Sequence, residues 1–336
     1  MNIILFTSVF YNNIGNGFID YGAEAALKEA MPENANIIKL SQCANFAATM
    51  DWKFRLRENP VVSFIWENLM RRYARQLHDK SYSIVKTESV ISAALIAKCD
   101  YFIVPGCVLT VPFFTIYGSL LLEKVAQGAK IVFLGASGNH YTDNEVRFVS
   151  SWLEKIKPHA LMFRDSVAYK AYKSYSPLIY NGIDNVFFVN KIPVPSFETV
   201  LDPYVVLNFD LKENQHIKSS LLNSELAGRN VIYTDHKPYP QSKITKRVKE
   251  GVVISDYPLD YLAIYRNVDT TYSDRVHACI PTLSFGNKAR LYSRSPRKAL
   301  FENVGLKDIS SKPVRLYGLE EYQLNQVEFL RKVLEQ

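Results

Sequence analysis

An apolar, β-rich run ends at Tyr272, and a helical run begins near Ala278; between them stand Ser273, Arg275 and His277. If the backbone is still extended there, alternation turns all three side chains to one side. If a helix has already begun, Arg275 and His277 diverge by more than a right angle. Either way they lie at a helix N-terminus, where backbone N–H groups favour an anion. Arginine matches a carboxylate or phosphate with its planar fork. Histidine exchanges a proton near neutral pH. The plainer reading is a capping serine, an exposed arginine and a packed histidine. The combination points to anion chemistry without naming a reaction.

Two other stretches carry chemical side chains. In "NNIGNG" the amides of Asn13 and Asn16 flank Gly15, and Gly15 and Gly17 permit close backbone approach before a helix expected from Phe18. The spacing fits neither the dinucleotide GxGxxG nor a lysine-bearing P-loop. In "MFRDSVAY" Arg164 ends a strand, from where it can reach a cleft, and Asp165 or Ser166 can cap the next helix. Taken alone, a surface salt bridge to Asp165 or a nearby acid is the simpler role for Arg164. Cys43, Cys99, Cys107 and Cys279 are far apart and form no CxxC pair, which argues against a zinc site or disulfide framework and for a reducing cytoplasm. Cys107 reads as a small apolar filler more than as a nucleophile with His277 as base. With no metal-ligand cluster in the sequence, no metal is expected.

These side chains must be placed by the elements around them. Short apolar runs at 3–6, 36–40, 101–104, 130–134 and 160–163 read as strands, alternating with helical runs at 18–30, 61–78, 89–97, 113–127 and 145–156. Near-continuous apolar strands in βαβ order predict a parallel sheet covered on both faces. Three prolines in 190–203 mark a linker. The alternation then restarts, with strands at 204–209, 230–234, 252–254, 268–272 and 289–292 and helices at 217–226, 259–267 and 278–285. The expected fold is therefore α/β, with two doubly wound, Rossmann-like domains facing a cleft: residues 1–189 and 204–318, joined by the linker 190–203 and followed by an amphipathic closing helix at 319–336. Ligands of such sheets sit outside the carboxyl ends of the strands.

Composition agrees. A chain of 336 residues is long for one ordinary core, and 48% hydrophobic against 22% charged residues marks a globular protein. The net charge of +7 reads either as a slightly basic soluble surface or, more sharply, as the mark of an anionic partner; no nucleic-acid module is present, so nucleic acid is not expected. The uncharged stretch 101–122 is long enough to span a bilayer. Pro105, Gly106, Pro112 and Gly118 break it into a strand, a loop and a buried helix. "MNIILFTSVF" reads as a first strand and not as a signal peptide.

The stretch "YSDRVHACIPTLSFGNKARLY" resembles the polysaccharide pyruvyl transferase family, through Ser273, Arg275, His277, Ala278 and Gly286. "NNIGNGFIDYGAEAAL" is similar to the family's N-terminal turn (Asn13, Gly15, Asn16, Gly22), "FRDSVAY" to its central arginine motif (Arg164), and "KIVFLGASG" to its middle. The likeness covers roughly residues 2–305. It departs where members often carry a run of glycines, since the loop here is "VPGCVLT". Residues 52–99 are also long and basic-aromatic for this region.

The resemblance implies a GT-B-like fold and transfer of pyruvate from phosphoenolpyruvate onto two hydroxyls of a sugar, as a cyclic ketal, with no cofactor. It implies that Arg164, Ser273, Arg275 and His277 hold the carboxylate and phosphate of phosphoenolpyruvate, with Arg275 and His277 catalytic and His277 the proton-transfer partner. Asn13, Gly15 and Asn16 would hold the acceptor, a sugar or lipid-linked oligosaccharide. Two alternatives remain. One is a GT-B glycosyltransferase using a nucleotide sugar, with Asp256 or Asp260 on the ribose; the other is a non-catalytic glycan-binding relative. The expected location is cytoplasmic, peripheral to the inner membrane face. Residues 64–80 form a basic amphipathic pattern with Arg71, Arg72 and Arg75 on one side. At most weak, salt-sensitive membrane contact is expected, since each basic residue contributes about 1 kcal/mol.

Overall fold

The computed structural model describes residues 1–7, 13–41, 96–198, 200–201, 203–236, 246–255, 257–293 and 295–336. Among these residues the strands form two parallel sheets. The first comprises β1 (Asn2–Thr7), β2 (Asn36–Ser41), β3 (Tyr101–Pro105), β4 (Lys130–Ala136), β5 (Ala160–Phe163) and β6 (Leu178–Asn181), in the order β2-β1-β3-β4-β5-β6. Every residue of β3 and β5 is buried, as continuous apolar strands require. One face packs on α1 (Ile14–Ala30) through Ile3, Leu5, Phe18 and Ala23. The other packs on α2 (Val111–Ala126) and α3 (Asp143–Ile156) through Phe6, Phe102, Phe114 and Leu153. A short α4 (Ser166–Tyr172) follows β5.

The second sheet comprises β7 (Tyr204–Asn208), β8 (Asn230–Thr234), β9 (Val252–Val253), β10 (Thr270–Ser273) and β11 (Lys288–Leu291), in the order β11-β10-β7-β8-β9. α5 (Gln215–Asn223) covers one face, and α6 (Pro258–Asn267) and α7 (Val276–Ser284) the other. Strand order reverses between β1 and β3 and again between β7 and β10. The crevices at those two reversals are where such sheets hold ligands.

α1 fastens the two halves. A Cβ on Gly22 would strike the carbonyl of Asn185, so only glycine lets α1 lie against the 3-10 helix Asn185–Lys191. The last helix, α8 (Leu319–Leu334), returns to the first sheet. Gln323 Nε2 donates to the Phe187 carbonyl (2.7 Å), Gln326 Oε1 accepts from Ile183 N (2.8 Å), and Tyr101 Oη donates to the Leu334 carbonyl (3.1 Å).

Several expected boundaries move. α1 starts at Ile14, not Phe18, because Asn13 caps it. β6 and the 3-10 helix Pro296–Val304 were not expected; each is short, and β6 is a half-buried edge strand. α4 is the helix expected after Arg164, with Asp165 as its cap. The expected strand 268–272 is Thr270–Ser273, so it carries Ser273 itself. The linker 190–203 overlaps the end of the 3-10 helix Asn185–Lys191, and its Val194 is buried, with a carbonyl that accepts from Arg266 Nη1 (2.8 Å). The stretch 101–122 is β3, a loop and α2, and among the described residues no helix is long and apolar enough to cross a membrane. The expected helix 61–78, all but the end of 89–97, the amphipathic segment 64–80 with Arg71, Arg72 and Arg75, and Cys43 lie outside the described residues.

Candidate functional site

β10 delivers its last side chain, Ser273, into the sheet. The buried hydroxyl donates to Asn208 Oδ1 on β7 (3.0 Å) and accepts from Arg275 N (2.8 Å). That turn leaves Arg275 extended at the N-cap of α7, so the helix has begun before His277 and the two side chains diverge. Arg275 Nε donates to Asp210 Oδ2 (2.8 Å), and among the described residues its Nη2 is sealed without a partner. His277 turns toward the other domain, with Nε2 3.4 Å from Asp184 Oδ2.

Asp184 caps the 3-10 helix Asn185–Lys191 through Oδ1, which accepts from Val186 N (2.9 Å). Its Oδ2 also accepts from Arg164 Nη1 (2.7 Å), and Arg164 Nε donates to Ser137 Oγ (2.8 Å). Arg164 is 1% exposed, Asp184 0% and His277 7%. Burial raises the pKa of Asp184, but the Arg164 charge and the His277 contact outweigh burial and hold the carboxyl well below its usual range. Burial pushes the His277 pKa down; Asp184 pulls it up, Arg164 and Arg297 push it down again, and the net shift is downward. His277 is therefore a neutral imidazole near pH 7. Removing one partner from a buried charged pair costs about 3–5 kcal/mol, so Arg164 and Asp184 hold each other in place.

His277 faces a cleft of about 710 Å³. Asn13, Asn16 and Ile19 of α1 form one wall, and Cys107, Thr110 and Pro112 between β3 and α2 form the next. Asn139, His140, Thr142, Asn144 and Glu145, at the start of α3, form the third. That last wall is braced from within. Thr142 Oγ1 accepts from Glu145 N (3.3 Å), and Glu145 Oε2 accepts from His140 N (2.8 Å) and Tyr141 N (2.6 Å), a variant of the capping box. From the second domain Arg297 reaches across, its Nη2 donating to Asn139 Oδ1 (2.6 Å). The arrangement offers a neutral base at one point, a fixed cation beside it and a wall of amides and hydroxyls that also includes His140 and the Glu145 carboxylate. Such a wall bonds hydroxyls; such a cation holds a phosphate or carboxylate.

The expected site is only partly assembled here. Of Arg164, Ser273, Arg275 and His277, only His277 lines the cleft. Arg164 is sealed against Asp184, Ser273 is buried in the β10 turn, and the half-buried Arg275 donates to Asp210. Arg164 does not bridge Asp165, whose Oδ1 instead caps α4 by accepting from Ala168 N (2.8 Å). Asn13 and Asn16 line the cleft, although Asn13 Oδ1 also accepts from Gly15 N (3.1 Å). Gly15 sits inside α1 against His277. Cys107 lines the cleft with its thiol donating to the Gly138 carbonyl (3.2 Å). Asp260 accepts from Ser255 Oγ (2.6 Å) at the start of α6, and Asp256 lies outside the described residues.

Sequence reading missed Asp184, Arg297 and the Asn139–Glu145 loop. Signals existed for the first two: an aspartate before the run "NVFFV" and "SPR" with proline at the first helical position are both helix starts.

A sequence model of the family described as polysaccharide pyruvyl transferase matches residues 13–296. No curated protein matches the chain. Among solved structures, the S. aureus MnaA–UDP co-structure is similar at 10% identity over 97% of this chain and 90% of that one, TM-score 0.51. A putative UDP-N-acetylglucosamine 2-epimerase from Listeria monocytogenes is 9% identical over 100% and 88% of the two chains, TM-score 0.52. The UDP-GlcNAc 2-epimerase from Neisseria meningitidis bound to UDP-GlcNAc is 11% identical over 100% and 92%, TM-score 0.52. At such identity the likeness is one of fold, the two-domain GT-B-like architecture.

Proposed function

The chain belongs to the polysaccharide pyruvyl transferase family, and from that premise we propose that it transfers pyruvate from phosphoenolpyruvate to two hydroxyls of a sugar. The acceptor would be a surface polysaccharide or its lipid-linked precursor, and the product a cyclic ketal. The observation that supports this reading is the pairing, in one cleft, of neutral His277 and the Arg297 cation with uncharged amides and hydroxyls.

The reaction needs those groups. A first hydroxyl adds across the enol double bond: its oxygen bonds C2, its proton goes to a base, and the methylene carbon takes up a proton. Phosphate then leaves C2 with its bonding electrons, the second hydroxyl bonds C2, and the second proton leaves with phosphate. His277 is suited to accept the hydroxyl proton, a role worth ~10²–10⁴ in rate. Arg297 is suited to hold the phosphate as charge develops on it. Asn13, Asn16, Asn139 and Asn144 are suited to orient the sugar. Arg275 and Arg164 would support the site from behind it, through Asp210 and Asp184. No cofactor enters this scheme. Cytoplasmic location at the inner membrane face remains part of the proposal, since lipid-linked acceptors are found there.

The test is to incubate the protein with phosphoenolpyruvate and candidate sugars, reading phosphate release together with the mass of the acceptor. Arg297→Ala should raise the KM for phosphoenolpyruvate at least about tenfold, with Arg297→Lys partly restoring it. Phosphate release without a pyruvyl gain on any acceptor, or turnover of a nucleotide sugar instead, would overturn the proposal.

A further inference from the structure

We propose that Asp184 is a positioning residue that fixes His277 as the Nε2–H tautomer, so that Nδ1 is the ring nitrogen that exchanges protons with the substrate. The inference rests on the reading of His277 as the proton-transfer group and adds which of its nitrogens acts.

The geometry is asymmetric about the ring. Nε2 stands 3.4 Å from Asp184 Oδ2, an oxygen that already accepts from Arg164 Nη1 at 2.7 Å. Asp184 is ionised and acceptor-only, so the nitrogen facing it must carry the hydrogen. Nδ1 lies on the other side, against the first turn of α1: a Cβ on Gly15 would stand 3.0 Å from it. Nδ1 has no hydrogen-bond partner among the described residues and is not one of the sealed polar atoms, while the ring lines the cleft. The positive end of α1, a helix of 17 residues, disfavours a proton on Nδ1 and so acts in the same direction as Asp184. The aspartate belongs to the first domain and the histidine to the second, so the tautomer is set only where the domains meet.

The clamp is rigid. Oδ1 of Asp184 is bonded to Val186 N (2.9 Å), and Arg164 is bonded to Ser137 (2.8 Å). Neither carboxylate oxygen can swing away without leaving a buried group unpaired.

Long-range proton–nitrogen NMR on the full-length, nitrogen-labelled protein tests this directly, with the His277 ring assigned by its loss in His277→Gln. The wild-type ring should show the Nε2–H pattern without any substrate. In Asp184→Asn the oxygen shared by Arg164 and Nε2 loses its charge, so the preference for Nε2–H weakens and the Nδ1–H form should appear beside it. The kcat for pyruvyl transfer should then fall by about tenfold, with the KM for phosphoenolpyruvate nearly unchanged. A wild-type Nδ1–H ring overturns the inference, and so does an unchanged tautomer in the variant or a change in KM alone. If Asp184→Asn does not fold, the wild-type spectrum still decides. An Nε2–H ring in a protein that transfers no pyruvate would refute the proposed function and leave the tautomer assignment standing.

Discussion

At Gly15 two effects of a methyl group oppose each other, and their sizes decide the outcome. Within a helix, alanine is favoured over glycine by about 1 kcal/mol. Here the methyl would stand 2.8 Å from His277 Cβ, closer than side chains tolerate. Overpacking costs about 1–3 kcal/mol, so we predict that Gly15→Ala lowers the melting temperature while displacing the imidazole and lowering kcat by about 10²-fold, since a 1 Å misplacement of a reacting group costs that much. Calorimetry and turnover on the same sample check it; an active, wild-type-like enzyme would show that His277 is not fixed by α1. The same residue shows what a sequence can and cannot convey. "Ser-x-Arg-x-His" announced anion and proton chemistry, but the partner of His277 is 93 positions away and enters only through the fold. Arg164 was legible as a strand-end arginine, yet its carboxylate, Asp184, lies 20 residues on across β6. Arg297 was one of 40 basic residues, and "SPR" marked its place at a helix start without marking its role.

Elements turn such residues into a site, and α1 shows how one side chain can serve two levels at once. Asn13 both caps the helix, accepting from Gly15 N, and lines the cleft. The two roles separate by substitution. Asn13→Ala should lose a cap worth about 0.5–2 kcal/mol, visible as a lower denaturation midpoint. Asn13→Ser keeps a capping oxygen but shortens the reach into the cleft. It should therefore keep the midpoint and raise the KM for the acceptor while leaving that for phosphoenolpyruvate alone. If serine restores acceptor KM as well as stability, Asn13 only caps. The strands were the most legible elements, because buried parallel strands write continuous apolar runs such as "YFIV" and "ALMF". The helix starts were less so, because a cap moves the boundary without changing the apolar pattern, as Asn13 moves α1 forward to Ile14. The Asn139–Glu145 wall was not legible. Its shape depends on Tyr141 at a positive φ of 56° and on Glu145 reaching back to two backbone N–H groups.

Across the whole molecule, the seam between the domains is held by groups whose charge states are set by burial, and this makes its stability depend on pH. His236, behind α1, bonds Tyr265 Oη through Nε2 (2.6 Å), and its carbonyl accepts from Ile14 N (3.1 Å). Burial first, then Arg275 and His277, push its pKa well below the ordinary value of 6.5, and the His277 pKa is lowered as well. The folded chain therefore refuses protons that the unfolded chain accepts. As pH falls below about 6.5 the unfolded state binds more protons, so stability declines with falling pH, by up to about 1.4 kcal/mol per pH unit for each histidine. Asp184 has the opposite kind of group but the same direction of loss. Its pKa is held below the usual carboxylate range, so its contribution is complete above about pH 4 and disappears only as pH falls further. Denaturant midpoints should thus be level above pH 7, fall below about pH 6.5 on account of the histidines, and fall more steeply below about pH 4, where Asp184 adds its own loss. His236→Phe should lower the slope from about pH 6.5 downward, since it removes one refused proton while Asp184 and His277 stay in place. A midpoint that rises on acidification from pH 7 to 5, or a slope that His236→Phe leaves untouched, would mean that the seam does not carry its histidines neutral.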